Sequence, residues 1–257
     1  MSGGSPATPA PDDLVVGSRA VVTGASSGIG AAITGRLLAA GVHVVAADLN
    51  PPTGAETPDG AGERTDVRLD VSDESAVAAM TEAALAQGPV RYLFNVAGIG
   101  STTNAPDTPV EVWDQVFDVN ARGTFLTCKH LIPGMIEAGG GSILNMGSIA
   151  GQVGLKNRAA YCASKGAVIS FTRALAVDHV ADGVRVNCVC PGTTDSPWVR
   201  RLVEDVGESI DNLRARQPMG RLGTPEEIAD ASIFLAGERS PFSTGTVLTV
   251  DGGLTAA

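Results

Sequence analysis

Residues 20–30 read Ala20-Val21-Val22-Thr23-Gly24-Ala25-Ser26-Ser27-Gly28-Ile29-Gly30. A short β-rich run, Ala20–Thr23, passes straight into a turn with three glycines, and a helical pattern, Ala31–Ala40, follows. Glycine tolerates φ > 0 and lets the backbone come close to a ligand. A helix that begins at such a turn offers unpaired N–H groups and the positive end of its dipole, a seat for a pyrophosphate. Gly24, Ser26, Ser27, Gly28, Ile29 and Gly30 are therefore candidate phosphate-binding residues. The flanking strand and helix carry this reading, because a glycine pattern alone is weak.

The strand-then-helix rhythm continues outward from this turn. Val42–Ala47, Val67–Leu69, Tyr92–Val96, Ser142–Met146, Val184–Val189 and Thr246–Val250 read as further strands. Stretches 73–87, 109–138, 160–181 and 225–237 read as helices, beside the first at 28–40. Most strand runs are apolar on both faces, which suits a buried parallel sheet. The alternation predicts an α/β fold: βαβ units in a doubly wound parallel sheet with helices on both faces. A length of 257 residues fits one such domain, spanning 13–257. Residues 1–12 are small, polar and Pro-rich and are expected to form a disordered tail. Segment 193–222 breaks the rhythm. It is longer than an ordinary connection, contains Pro197 and Pro218 and has a helical middle, Trp198–Arg216, so it reads as a lid over a substrate site.

Composition removes several classes of function. Asp plus Glu is 28 against 18 Lys plus Arg, a net charge of −10, which opposes a nucleic-acid partner. No apolar run reaches the roughly 20 residues that span a bilayer. The N-terminus lacks the pattern of a secretory signal, so the expected location is the cytoplasm. Cys128, Cys162, Cys188 and Cys190 form no CxxC pair and read as reduced, buried small residues. His43, His130 and His179 are scattered, so no metal site is expected.

Other residues point to chemistry. Asp48 ends the second strand, with Ala47 and Leu49 beside it and no Arg or Lys. A carboxylate there accepts hydrogen bonds from adenosine ribose hydroxyls and repels a 2′-phosphate, which favours NAD over NADP. Asp70-Val71 is placed to hold an adenine amino group. Asn95 and Gly98 follow the fourth strand and are expected to line the same crevice. Tyr161 and Lys165 stand four residues apart, on one face of a helix. An ammonium near a phenol favours the phenolate, and such a pair suits proton exchange with an alcohol or a carbonyl oxygen. Ser148 ends the fifth strand, where its hydroxyl can orient a substrate oxygen. Asn120 sits in an apolar helix and needs partners, which a water relay to Lys165 supplies.

Together these elements resemble the short-chain dehydrogenase/reductase family over residues 17–254. The matching motifs are Thr23-Gly24-(x)3-Gly28-Ile29-Gly30, Asp70-Val71, Asn95-Val96-Ala97-Gly98, Asn120, Ser148, Tyr161-(x)3-Lys165 and Pro191-Gly192. The resemblance implies a single Rossmann-type domain with a seven-stranded sheet, and a catalytic tetrad. Asn120 serves the water relay, Ser148 polarises the substrate, Tyr161 is the acid/base, and Lys165 binds the nicotinamide ribose and lowers the tyrosine pKa. It also implies that Ala97, Pro191, Gly192, Thr193 and Ser196 border the cofactor. Its members pack the helices at 109–138 and 160–181 and the C-terminal strand into a homotetramer. Val96 stands where the family more often has a second Asn, and Ser196 where Thr is more frequent.

The substrate is less legible. Arg158 precedes Tyr161 closely, and Arg200, Arg201, Arg214 and Arg216 crowd the presumed lid. An arginine fork clamps a carboxylate. Arg158 and Arg216 are the candidate substrate residues. The stretches around Asn157-Arg158, Asn187–Thr193 and Arg216-Gln217 resemble the family's 3-hydroxybutyrate and 2-keto-3-deoxy-sugar-acid dehydrogenases, so a hydroxy acid is expected. Two alternatives stand beside this. A 3-oxoacyl thioester reductase is opposed by Asp48 and by the acidic surface. A dinucleotide-binding sensor has no need of Ser148, Tyr161 and Lys165.

Overall fold

In the computed structural model, residues 14–51, 61–207 and 209–257 are described. Seven parallel strands form one sheet in the order β3-β2-β1-β4-β5-β6-β7. They are β1 (Arg19–Thr23), β2 (His43–Asp48), β3 (Arg64–Arg68), β4 (Val90–Asn95), β5 (Gly141–Met146), β6 (Val184–Pro191) and β7 (Val247–Val250). The order reverses between β1 and β4, so their carboxyl ends open into the crevice where such sheets bind ligands. The predicted tail, residues 1–12, lies outside the described residues.

Alternation along the strands explains the two layers of helix. Val22, Val44, Ala46 and Phe94 face one core with Ile33, Leu37, Ile228 and Ile233. Val21, Val45, Leu93 and Ile143 face the other, with Val77, Met80, Leu126, Leu131 and Met135. On the first face lie α1 (Gly28–Ala39) and α8 (Pro225–Ala236). On the second lie α2 (Glu74–Ala86), α4 (Gly123–Glu137) and α5 (Ala159–His179). Local chemistry fixes helix starts: Asp73 accepts from the Ser75 and Ala76 amides at α2, and Thr224 and Glu227 form a reciprocal capping box at α8.

Three expected elements differ. The third strand begins earlier than its apolar run, at Arg64, because pairing with β2 runs from Val44–Arg64 to Asp48–Arg68. As an edge strand it needs no second apolar face. The long helix of 109–138 is three pieces: α3 (Val110–Phe117), a π-helical turn over Asp118–Arg122, and α4. The helical middle of 193–222 is two short helices, α6 (Pro197–Val206) and α7 (Ile210–Ala215), because Gly207 adopts a left-handed conformation that ends α6. Among the described residues, no helix is long and apolar enough to cross a membrane. Cys128, Cys188 and Cys190 are buried thiols, but Cys162 is only half-buried, because its side of α5 is partly open.

Candidate active site

A cavity of about 1660 Å³ opens at the carboxyl ends of the strands. Gly24, Ser26, Ser27, Gly28, Ile29 and Gly30 line it, joined by Asp48, Asp70, Val71, Ala97, Gly98, Ser148, Tyr161, Lys165, Pro191, Gly192, Thr193 and Ser196. The structure thus brings together residues spread over most of the chain.

The glycines act differently from one another. Gly24 has φ +68° and Gly28 φ +51°, the left-handed region. Gly30 has no positive φ. A Cβ there would lie 2.0 Å from the Gly24 carbonyl oxygen, so this glycine is required by the contact between helix and turn. The N-cap, Ser27, gives its helix no side-chain hydrogen bond, which leaves the first amides of α1 without that acceptor. Ser26 Oγ is buried and has no partner among the described residues. Asp48 is braced by backbone: Oδ2 accepts from Ser26 N at 3.0 Å and Oδ1 from Asn50 N at 2.9 Å. Asp70 Oδ1 accepts from the Ser72 amide and hydroxyl at 2.9 and 2.6 Å.

Tyr161 and Lys165 come from one face of α5. Lys165 Nζ lies 5.9 Å from the Tyr161 ring centroid and donates to the Met146 carbonyl at 2.8 Å. Burial pulls the lysine down to about 8. Burial also pushes the Tyr161 phenol above its usual value, against a hydrogen bond from Ser148 that acts the other way. Ser148 begins a short 3₁₀ turn, and its hydroxyl accepts from Ala150 N at 3.1 Å.

Two expected residues do not line the cavity. Asn95 is buried beneath it. Its amide donates to Asn145 Oδ1 at 2.9 Å, its carbonyl accepts from Thr127 Oγ1 at 2.6 Å, and Asn145 donates onward to Thr172. This chain of polar groups ties β4 and β5 to α4 and α5; a strand-end position with an inward side chain points into the core, not the crevice. Asn120 is likewise buried, and the expected relay to Lys165 is not what satisfies its side chain. Oδ1 accepts from Ile99 N at 2.8 Å, and Nδ2 donates to Ile99 O at 2.8 Å and Ser164 Oγ at 2.9 Å. The amide therefore clamps the loop after β4. A Cβ on Gly98 would meet Asn120 Oδ1 at 3.1 Å and Lys165 Nζ at 3.4 Å, so the loop passes between them.

Arg158 and Arg216 both line the cavity, together with Lys156 and Arg201. Arg158 Nη1 also donates to the Ser101 carbonyl at 2.9 Å. Arg200 and Arg214 do not line it; they pair with Asp195 and Asp211 at 2.8 and 2.9 Å.

A family model described as enoyl-(acyl carrier protein) reductase matches residues 24–255. The chain belongs to the short-chain dehydrogenase/reductase family. It is similar to 2-(R)-hydroxypropyl-CoM dehydrogenase of Xanthobacter autotrophicus, 42% identical over 92% of this chain and 98% of the relative. It is 39% identical to 2-dehydro-3-deoxy-L-rhamnonate dehydrogenase (NAD(+)) of a Sphingomonas species, over 93% of this chain and 96% of the relative. A solved chain from Beutenbergia cavernae, described as an NAD(P)-dependent gluconate 5-dehydrogenase with NADP bound at low occupancy, superposes with TM-score 0.87. That match is at 33% identity and covers 96% of this chain and 100% of the other. As a short-chain dehydrogenase/reductase, this protein is an oxidoreductase that works on hydroxyl groups with a nicotinamide cofactor.

Sequence reading assigned no role to two residues that the fold brings to this site. Thr23 Oγ1 accepts from the Val96 and Ala97 amides at 3.1 and 3.2 Å and so locks the loop after β4 to the glycine turn. Its place directly before Gly24 was the available signal. Trp198 lines the cavity with its ring centroid 5.9 Å from that of Tyr161. Nothing in the local sequence separates it from a core aromatic.

Proposed function

We propose that this enzyme is an NAD-dependent dehydrogenase of secondary alcohols that carry a carboxylate. The observation that carries the reading is a single cavity lined by the glycine turn, by Ser148, Tyr161 and Lys165, and by a cationic set of Lys156, Arg158, Arg201 and Arg216. The turn fits a dinucleotide. The start of α1 has no side-chain cap, and the Ser26 hydroxyl is buried with no partner among the described residues, so donors await a ligand. Gly24, Ser26, Ser27, Gly28, Ile29 and Gly30 would hold the pyrophosphate. Asp48 would hold the adenosine ribose, and Asp70 and Val71 the adenine. Ala97, Gly98, Pro191, Gly192, Thr193 and Ser196 would border the nicotinamide. Asp48 and the absence of Arg or Lys at Leu49 and Asn50 favour NAD, as does the NAD(+) in one relative's name. When bound, the nicotinamide supplies the hydride acceptor.

The chain's own residues handle the proton. The Ser148 hydroxyl donates to the substrate oxygen and fixes its position. The Tyr161 hydroxyl exchanges a proton with that oxygen as the carbinol carbon loses hydride. Burial pushes the Tyr161 phenol up, and a Ser148 hydrogen bond and the Arg158 charge act against it; protonated Lys165, 5.9 Å from the ring on the same helix face, would add to that opposition. Arg158 and Arg216 clamp the carboxylate, and binding energy from that remote anion orients the carbinol carbon. Asn120 acts by positioning: it holds Ile99 and Ser164 against this set.

We assign the chain from residue 13 onward to one catalytic domain, with 193–222 as its substrate lid, in a cytoplasmic homotetramer. Light scattering that reports a monomer at micromolar concentration would refute the assembly. A panel of hydroxy acids, sugar acids and neutral secondary alcohols, followed at the nicotinamide absorbance with NAD and with NADP, tests the activity. Turnover of hydroxy acids with NAD is expected. Preference for NADP, or for neutral alcohols alone, would overturn the corresponding half.

A further inference from the structure

The loop after β4 presents a notch to the substrate segment. Gly100 has no side chain, and an added Cβ would lie 2.5 Å from Trp198 Cζ2 and 3.3 Å from Cη2. The edge of the indole therefore sits directly on the Gly100 backbone. The loop beneath it is held from below. The Asn120 side chain bonds both Ile99 N and Ile99 O, and Arg158 holds the Ser101 carbonyl. The indole is fixed from its own side as well. Ser196 caps α6 through Val199 N, and Trp198 packs on Val199, Val203, Leu213 and Leu222, the segment's own apolar cluster. The base of the segment is closed by hydrogen bonds between Thr193, Asp195 and Gly223. The result is an aromatic wall fixed on both sides, with its ring beside Tyr161.

We infer that Trp198, seated on Gly100, is the residue that sets the size of the substituent accepted at the carbinol carbon. This rests on the proposed role of Tyr161, because the carbinol must sit at that hydroxyl and so beside the indole. A wall that cannot yield excludes bulk. Each methylene that a pocket admits or rejects is worth about 10–200-fold in discrimination.

The test compares 3-hydroxybutanoate with 3-hydroxyhexanoate, and 2-propanol with 4-heptanol as the neutral pair, in the wild type and in Trp198→Ala. The ratio of kcat/KM for the large over the small member of a pair should rise about 10-fold or more in the variant. Trp198→Phe should fall between the two. An unchanged ratio in an enzyme that turns over either pair would overturn the size rule alone. No wild-type turnover on either pair would overturn the proposed activity and the size rule with it. The contact itself has a separate readout. Trp113 and Trp198 are the chain's two tryptophans, so Trp113→Phe leaves one emitter. Adding Gly100→Ala should unseat the indole and shift its emission to the red. Emission unmoved by the added methyl would overturn the seat on Gly100, whatever the kinetics show.

Discussion

The glycine turn after β1 and segment 193–222 are both loops over one cavity, yet they are held in place by different means. The turn is fixed by contacts that end on backbone atoms. Gly30 abuts the Gly24 carbonyl, Thr23 ties in Val96 and Ala97, and Asp48 binds the amides of Ser26 and Asn50. Segment 193–222 is fixed by side chains, chiefly its own apolar cluster and the indole of Trp198. A contact that ends on a backbone atom is not relieved by changing the residue that carries that atom, whereas contacts between apolar side chains can be exchanged for others of similar volume. The difference suits the proposed roles, one loop for the nicotinamide dinucleotide and the other for the substrate. It also gives graded ways to break the contrast.

The largest effect is expected between the two loops, at Tyr161. Tyr161→Phe removes the proton carrier and leaves the ring, so kcat should fall by about 10²–10⁴-fold. NADH affinity, measured by fluorescence titration, should stay near wild type. Near-normal kcat would remove the acid/base assignment.

Next come the paired glycines. Gly30→Ala forces a methyl against the Gly24 oxygen and should cost about 3 kcal/mol or more in urea unfolding, with loss of NADH binding. Gly207→Ala meets no neighbour within 4 Å and loses only its left-handed preference, a cost of about 1 kcal/mol. Equal costs would erase the contrast between the loops.

Ligand contacts follow. Asp48→Ala should weaken NAD use by about 1.5–3 kcal/mol in kcat/KM and narrow the gap to NADP, since acceptor and repulsion disappear together. Arg216→Ala should raise KM for a hydroxy acid by a similar amount and barely change it for a matched neutral alcohol. A wild type that already prefers NADP, or an Arg216→Ala effect equal on both substrates, would leave those side chains without these roles.

The smallest effect concerns Lys165, which lies under the site. Its folded pKa, about 8, is below the ordinary 10.5, so between these values the unfolded chain binds more protons and stability rises with pH. Cys128 opposes this as the unfolded thiol ionises around its ordinary 9, because burial pushes the folded thiol up to about 12, but it is common to the wild type and Lys165→Met and cancels in their difference. From pH 8 to 9 the wild type should therefore gain about 1 kcal/mol relative to Lys165→Met in denaturant titrations. A flat difference across that interval would place the lysine in a more polar setting.

Much of the fold and of the site was legible because its signals are local. A glycine turn between a strand and a helix, a Tyr and a Lys one helical turn apart, and a carboxylate at a strand end each carry meaning within a few residues. The expected place of Asn95 on the crevice, and the partners of the Asn120 side chain, were not legible for the opposite reason. A buried amide takes whatever partners the packing offers, and here these are Asn145 and Thr127 for one and the Ile99 backbone for the other.

The sequence alone therefore determined the sheet class, the glycine turn between β1 and α1 and the shared helix face of Tyr161 and Lys165, since periodicity and spacing act along the chain. Only the tertiary structure decided which polar groups are spent on holding the molecule together, that Gly30 is required by a carbonyl oxygen six residues before it, and that Trp198 rests on Gly100. Those contacts join segments that touch only once the sheet has formed, and hard-sphere contact leaves no trace in either partner's neighbours along the chain.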